Sequence, residues 1–357
     1  MTVRLNGLFV LFWISDRNRK TVSEKMNSKI RTTVLMINYN GLPDLPDLLN
    51  SLEAQNTRDF NPVFWDNAST DGSVEYVREN FPWVKICAQS INLGYAKAAN
   101  LAARQFDTEF IIFLNTDIRL DPDCINQIIS TACTDNRIAC AASKMRFFHK
   151  PEMLNGVGGC MNYLGYTWDR GMFEIDNGQY DQIEDVLFAC GGAALVRREC
   201  FLSVGGYDEV FYMYHEDVDI CWRFWILGYR VVTAPHSVVY HKFSRSTKDS
   251  KGMAWREFIG ERNSIRSMIK NYELKNLIPT LWTLINLPQH EERKKIQRGN
   301  LLWNLRRLPN TLRSRFWIQW KRKARDKDLQ YLINPEIHVP IDVTQFSEIQ
   351  EPGTAKD

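Results

Sequence analysis

Alternating β-rich and helically spaced segments over residues 32–117 restrict this chain more than any other feature. Thr32-Thr33-Val34-Leu35-Met36-Ile37 is an apolar β-rich run that stops at the polar turn Asn38-Tyr39-Asn40-Gly41. Leu45, Leu48, Leu49 and Leu52 then recur at the spacing of one helix face. Val63-Phe64-Trp65 ends at Asp66-Asn67-Ala68-Ser69-Thr70-Asp71-Gly72-Ser73, a cluster suited to starting a helix through Val74 and Val77. Val84-Lys85-Ile86-Cys87 reads as a third strand and residues 96–106 as an Ala-rich helix. Phe110-Ile111-Ile112-Phe113-Leu114 reads as a fourth strand, closed by Asn115-Thr116-Asp117. Strands separated by helices predict an α/β fold with a mainly parallel sheet and right-handed crossovers. Ligands of such sheets bind beyond the carboxyl ends of the strands. Asn38, Tyr39 and Asn40, then Asp66 and Asn67, then Asn115 and Asp117 stand at three of those ends. Each alone is an ordinary turn former or helix cap; together they predict one polar pocket.

Composition narrows the alternatives. The 357 residues amount to roughly two domains, and 44% hydrophobic with 24% charged residues excludes wholesale disorder. The longest apolar run, Leu8–Ile14, falls far short of the roughly 20 residues that span a bilayer. The 45 Lys plus Arg and 42 Asp plus Glu nearly cancel, so net charge says little about partners. Eight Cys without a C-x-x-C pair predict free thiols in a reducing cytosol. Residues 1–28 read as a poorly ordered extension, 29–250 as the α/β domain, 251–330 as a helical basic and aromatic region, and 331–357 as a tail.

Asp208, Glu209, Glu216, Asp217 and Asp219 crowd one short stretch, and such carboxylates repel unless a cation or a proton-transfer task offsets them. His215-Glu216 is not a zinc-protease helix, because Asp219 stands where the second His belongs. Gly156-x-Gly158 has Met161 in place of the last dinucleotide-binding Gly and follows no predicted strand, and no phosphate-loop Gly-Lys-Ser/Thr occurs. The Gly-rich stretch 140–205 predicts turns and short strands.

Seven ordered blocks between residues 31 and 241 resemble the inverting family 2 glycosyltransferases of the rhamnosyltransferase-like branch. They are Ile37–Gly41, Trp65–Ser73, Asn92–Ala96, Phe113–Asp117, Gly191–Ala193, Gly205–Glu209 and Glu216–Asp219. The resemblance implies a GT-A fold and a nucleotide-sugar donor, dTDP-L-rhamnose or a UDP-hexose, with a saccharide or lipid-linked saccharide acceptor in bacterial surface polysaccharide synthesis. It places Asn38, Tyr39, Asn40, Asp66, Asn67, Asn92, Gly94, Asn115 and Asp117 along the donor cleft. Asp117 and His241 would hold Mg²⁺ or Mn²⁺, which neutralises a departing diphosphate. Asp217 would be the general base, with Glu216 orienting the acceptor or bracing the loop. Two departures stand out: Trp65 replaces a small aliphatic residue, and Asn115 replaces the first Asp of the usual Asp-x-Asp.

Residues 291–327 carry 13 Lys plus Arg against three acids, interleaved with Trp303, Phe316, Trp317 and Trp320. No nucleic-acid fold accompanies this charge, so nucleic acid is not an expected partner. Trp303, Trp317 and Trp320 beside basic residues predict attachment to an anionic membrane surface, hence a cytoplasmic protein peripheral on the inner face of the membrane. A metal-dependent nucleotidyltransferase is disfavoured because Asn38–Leu42 contains no basic residue. An inactive membrane scaffold is disfavoured by the retained Asp66, Asp117 and Asp217.

Overall fold

The computed structural model describes residues 31–242, 250–288 and 290–336; the 1–28 extension and most of the 331–357 tail lie outside them. In chain order the first half comprises β1 (Thr32–Asn38), α1 (Leu45–Glu53), β2 (Asn61–Asp66), α2 (Ser73–Asn80), β3 (Lys85–Ala88), α3 (Tyr95–Gln105), β4 (Phe110–Leu114), β5 (Ile118–Leu120) and α4 (Cys124–Cys133). There follow β6 (Ile138–Phe147), β7 (Leu154–Val157), β8 (Gly159–Asn162), β9 (Thr167–Asp169), β10 (Ala193–Arg197), α5 (Arg198–Ser203), α6 (Glu216–Ile226) and β11 (Arg230–His241). α7 (Ser250–Asn271), α8 (Leu274–Asn286), α9 (Glu291–Arg306), α10 (Leu308–Lys321) and β12 (Ile333–Asn334) complete it.

The main sheet runs β3-β2-β1-β4-β10-β6-β11-β5, with β7 on β6. β3, β2, β1 and β4 are parallel, as the strand–helix alternation predicts. β10 then enters antiparallel between β4 and β6, and β6 pairs parallel with β11. Two reversals restore the original direction, so β11 delivers His241 to the same sheet edge as Asn38, Asp66 and Asn115. The period of two sorts β1 between two cores: Val34 and Met36 pack with α1 and α4, whereas Leu35 packs with α3 and α6. A fully buried leucine such as Leu48 contributes about 1.5–3 kcal/mol. Short strands fill the Gly-rich middle, where β8 and β9 form a separate sheet with β12.

Cations from α7 offset two of the crowded carboxylates, Asp208 and Asp219. Asp219, fully buried, accepts from Arg223 Nε at 2.9 Å, Lys270 Nζ at 2.9 Å, Ser267 Oγ at 3.1 Å and Asn271 Nδ2 at 3.1 Å. Asp208 accepts from Lys270 Nζ at 2.6 Å and Arg266 Nε at 2.8 Å. Removing one partner from such a network strands a buried charge, at about 3–5 kcal/mol. α6 and α7 are thereby joined through the Asp219 carboxylate.

One expectation for the C-terminal region is corrected. Trp303 lies between the guanidinium groups of Arg262 and Arg307, 4.2 and 4.1 Å from its ring, and Trp317 lies under Lys321 at 4.3 Å. Of the three tryptophans only Trp320 stands open, at 74% exposure. Cation–π pairing supplies the other two with protein partners, which spacing along a helix does not reveal.

Candidate active site

The ends of β1 and β2 are knitted into one turn. Asn38 and Asp66 are direct neighbours in register, and Asn38 Nδ2 donates to Asp66 Oδ1 and to Ser69 Oγ, both at 2.9 Å. Asp66 Oδ2 accepts the Ser69 N–H at 2.9 Å, and Asn40 Oδ1 accepts the Thr70 N–H at 2.8 Å. Asp66 is 1% exposed and Asn38 fully buried, so both brace the turn from behind. Tyr39, 55% exposed, and Asn40 form its outer face. Asn67 Nδ2 donates to Asn92 Oδ1 at 2.9 Å, and the same oxygen accepts the Gly94 N–H at 2.9 Å. Gly94 needs to be glycine: φ is 76°, ψ 162°, and a Cβ there would sit 2.4 Å from the Tyr212 ring.

Beyond β4, the Asp117 Oδ2 lies 3.2 Å from His241 Nε2. His241 Nδ1 is 2.7 Å from Asn155 Oδ1, an acceptor that places the ring proton on Nδ1 and leaves Nε2 toward Asp117. Burial disfavours the imidazolium, but the adjacent Asp117 carboxylate outweighs it and holds His241 above its ordinary pKa. Asp117 and His241 form an oxygen–nitrogen pair, and no cluster of three or more His, Cys, Asp or Glu suited to a metal occurs among the described residues. Such a pair fits a hard divalent ion that takes its other ligands from phosphate and water. The Asn155 contact is the kind of outer partner that fixes a ligating imidazole.

Asp217 stands at the first turn of α6. Its Oδ2 accepts the Gly191 N–H at 3.0 Å and its Oδ1 the Val218 N–H at 2.8 Å. Gly192 O in turn accepts the Asn115 N–H at 2.9 Å. Asn115, Gly192, Gly191 and Asp217 therefore form a continuous path from the β4 turn to α6. The path is closely packed: a Cβ on Gly191 would lie in ordinary van der Waals contact with Asp217 Oδ2 at 3.7 Å, and one on Gly192 with Asn115 Nδ2 at 3.4 Å.

Glu216 and Asp217 titrate as a pair with unequal support. Burial pushes both upward, Glu216 to about 8, where the neighbouring Asp217 charge adds to the effect. Two backbone N–H groups hold the Asp217 anion, whereas Glu216 Oε2 is buried without a hydrogen-bond partner. At neutral pH the proton therefore resides on Glu216 and the charge on Asp217. Glu216 is buried, while Asp217 is partly open.

Sequence reasoning assigned no role to Asp169, Tyr95, Asn155 or Asn263. Burial raises the Asp169 pKa to about 6, with Arg256 opposing the rise and Asp217 adding to it. Tyr95 donates its hydroxyl proton to Gly191 O at 3.2 Å. Asn263, buried on α7, donates to the carbonyls of Met213 at 3.0 Å and Tyr214 at 2.8 Å. These hold a loop in which Tyr212, Tyr214 and His215 have φ of 68°, 64° and 69°. Asp169 follows a Trp in a stretch without periodicity, and Asn263 sits on a polar helix; neither leaves a sequence signal.

The family model described as Glycosyl transferase family 2 matches residues 33–205. This segment is a family 2 glycosyltransferase domain. The chain is 28% identical over 238 residues to the N-acetylglucosaminyl-diphospho-decaprenol L-rhamnosyltransferase of Mycobacterium tuberculosis, an overlap of 60% of this chain and 76% of that one. It is 21% identical over 233 residues to the poly-beta-1,6-N-acetyl-D-glucosamine synthase of Staphylococcus aureus, covering 63% and 54% of the respective chains. Among solved structures it resembles GalNAc-T7 with UDP, GalNAc and Mn²⁺ (TM-score 0.57, 16% identity), over 77% of this chain and 55% of that one. It also resembles the mannosyltransferase PcManGT of Pyrobaculum calidifontis in complex with GDP-Man and Mn²⁺ (TM-score 0.51, 17% identity), over 82% and 85%. The fold of the chain is GT-A, as the sequence blocks imply.

Proposed function

We propose that this glycosyltransferase moves a sugar from dTDP-L-rhamnose, or from a UDP-hexose, to a hydroxyl of a saccharide or lipid-linked saccharide, with inversion, at the cytoplasmic face of an anionic membrane. Surface polysaccharide synthesis is the process that needs this reaction. The M. tuberculosis relative's name supports rhamnose as the sugar and a polyprenol-linked acceptor. The observation that carries the reading is the path Asn115–Gly192–Gly191–Asp217, which links the Asp217 carboxylate to the β4 turn through two backbone hydrogen bonds.

In this reading Asn38 and Asp66 shape the β1–β2 turn, and Tyr39, Asn40, Asn67, Asn92 and Gly94 receive the nucleoside. Asp117 and His241 would hold Mg²⁺ or Mn²⁺, and both structural neighbours, GalNAc-T7 and PcManGT, were solved with Mn²⁺. When bound, such an ion offsets the negative charge of a diphosphate. Asp217 takes the proton from the acceptor hydroxyl as its oxygen bonds to the anomeric carbon, and the bond from that carbon to the diphosphate oxygen breaks. Attack from the face opposite the leaving group inverts the centre. Glu216 keeps its proton and so adds no second charge beside Asp217.

A thermal-shift panel of sugar nucleotides with and without Mn²⁺ tests the donor. The expected result is a shift with dTDP-L-rhamnose or a UDP-hexose that grows with Mn²⁺. Stabilisation by none of them would sink the reading. The anomeric configuration of the product, read by NMR, tests inversion.

A further inference from the structure

Helices α8 and α10 leave a continuous row of large apolar side chains in water. On α8, Leu277, Thr280 and Leu284 turn inward, whereas Ile278 and Trp282 on the other side are 66% and 72% exposed, flanked by Leu274 and Ile285. α10 repeats the arrangement: Thr311 and Ile318 are buried, while Leu312, Phe316 and Trp320 recur every fourth residue on the outside, the last two at 75% and 74% exposure. Leu274, Leu312, Phe316 and Trp320 line one groove, so the two rows meet.

The polar groups of that groove are already engaged. Arg315 Nη1 donates to the carbonyls of Ile269 and Tyr272, and Gln319 Nε2 to those of Lys270 and Asn271, closing the end of α7. Glu273 is paired with Arg325 at 3.0 Å. What the groove offers a partner is apolar wall. A helix apolar on its inner and outer faces needs a second non-aqueous neighbour, and monomers rarely leave contiguous apolar patches beyond roughly a few hundred Å² in water.

Charge selects the neighbour. Residues 274–323 hold 12 Lys plus Arg and two acids, Glu291 and Glu292. Lys275 lies on α8 itself, and Arg313 and Lys321 lie on α10. A second copy of this chain would bring cation against cation. An anionic bilayer offers hydrocarbon to the aromatic rings and phosphate to the basic residues.

We propose that the α8–α10 face docks on an anionic lipid bilayer, with Ile278, Trp282, Phe316 and Trp320 in the interfacial layer and Lys275, Arg313 and Lys321 at the headgroups. Trp303 and Trp317, held by Arg262, Arg307 and Lys321, do not insert. Among the described residues no helix is long and apolar enough to cross a membrane.

Flotation of the full chain with phosphatidylcholine vesicles, with and without phosphatidylglycerol, tests this. The assay contains neither donor nor acceptor, so its failure leaves the sugar-transfer reading standing. Wild-type protein should float with the anionic vesicles. The triple variant Trp282→Ser, Phe316→Ser, Trp320→Ser should partition at least about tenfold less. Circular dichroism checks its fold; should it unfold, Arg313→Glu with Lys321→Glu decides the same point by losing the preference for anionic lipid. Failure of the wild type to float, or a loss in the deciding variant smaller than tenfold, overturns the proposal. So does a dimer in sedimentation equilibrium that the triple variant dissociates.

Discussion

Asp217 Oδ2 accepts the Gly191 N–H at 3.0 Å, and that bond ties the first turn of α6 to the segment entering β10. Because Gly192 O is bonded to Asn115 N–H, the candidate base is positioned relative to the β4 turn by backbone groups that cannot rotate away. Preorganisation of this kind lowers the cost of bringing donor and acceptor together.

Asp217→Asn keeps the size of the side chain and its acceptor oxygen but cannot take a proton. Transfer should fall by about 10²–10⁴-fold while nucleoside-diphosphate affinity stays within a factor of about two. Turnover and calorimetric binding measured on the same sample check this, and near-wild-type transfer would discard the base assignment.

Asp117→Ala acts on the donor instead. Its affinity for the sugar nucleotide in Mn²⁺ should drop about tenfold or more, and the gap between titrations with and without Mn²⁺ should close. A variant that retains the full Mn²⁺ effect would show that the Asp117–His241 pair is not the metal site.

The Glu216 carboxyl has a sign that can be worked out. Its folded pKa of about 8 lies above the ordinary value near 4.5, so between these pH values the native state binds more protons than the unfolded chain. Stability from this group is complete at acid pH and declines as pH rises toward 8. Glu216→Gln should flatten that decline: urea midpoints of wild type and variant should diverge between pH 5 and 8.5, in favour of the variant at the higher pH. Parallel curves would place the proton elsewhere.

Asn263→Ala leaves the Met213 and Tyr214 carbonyls without their donor. The expected loss is about 1–3 kcal/mol of stability. The loop leads directly into α6, so the acid limb of the pH–rate profile should also move as Asp217 loses its fixed surroundings. A stability loss with an unchanged profile would reduce Asn263 to a scaffold residue.

Gly94→Ala places a Cβ against the Tyr212 ring in a backbone conformation that is essentially glycine's alone. Destabilisation of about 1–3 kcal/mol in urea titration is expected, together with weaker donor binding. A neutral substitution would mean that Tyr212 and its loop yield freely.

Much of the proposed donor side could be read from the chain. Strand runs terminated by Asn38, Asp66 and Asn115 share one edge because parallel strands with helical crossovers all point the same way, a consequence of local pattern. The proposed acceptor side was less legible. β6 is built from small residues such as Ala139, Ala141 and Ala142 without alternation, and the antiparallel entry of β10 follows no rule of spacing. Trp303 illustrates the limit: composition marks it as an interfacial residue, but Arg262, far away in sequence, covers its ring.

The sequence by itself determined the parallel half of the sheet, the polar strand ends and the family, because these depend on periodicity and on residues adjacent along the chain. Only the tertiary structure decided that Gly191 and Gly192 bridge Asn115 to Asp217, that α7 neutralises Asp208 and Asp219, and that the apolar side of α8 and α10 faces outward. Each of these is a pairing between segments distant along the chain, and which segments meet is settled by strand order and helix packing rather than by any local propensity.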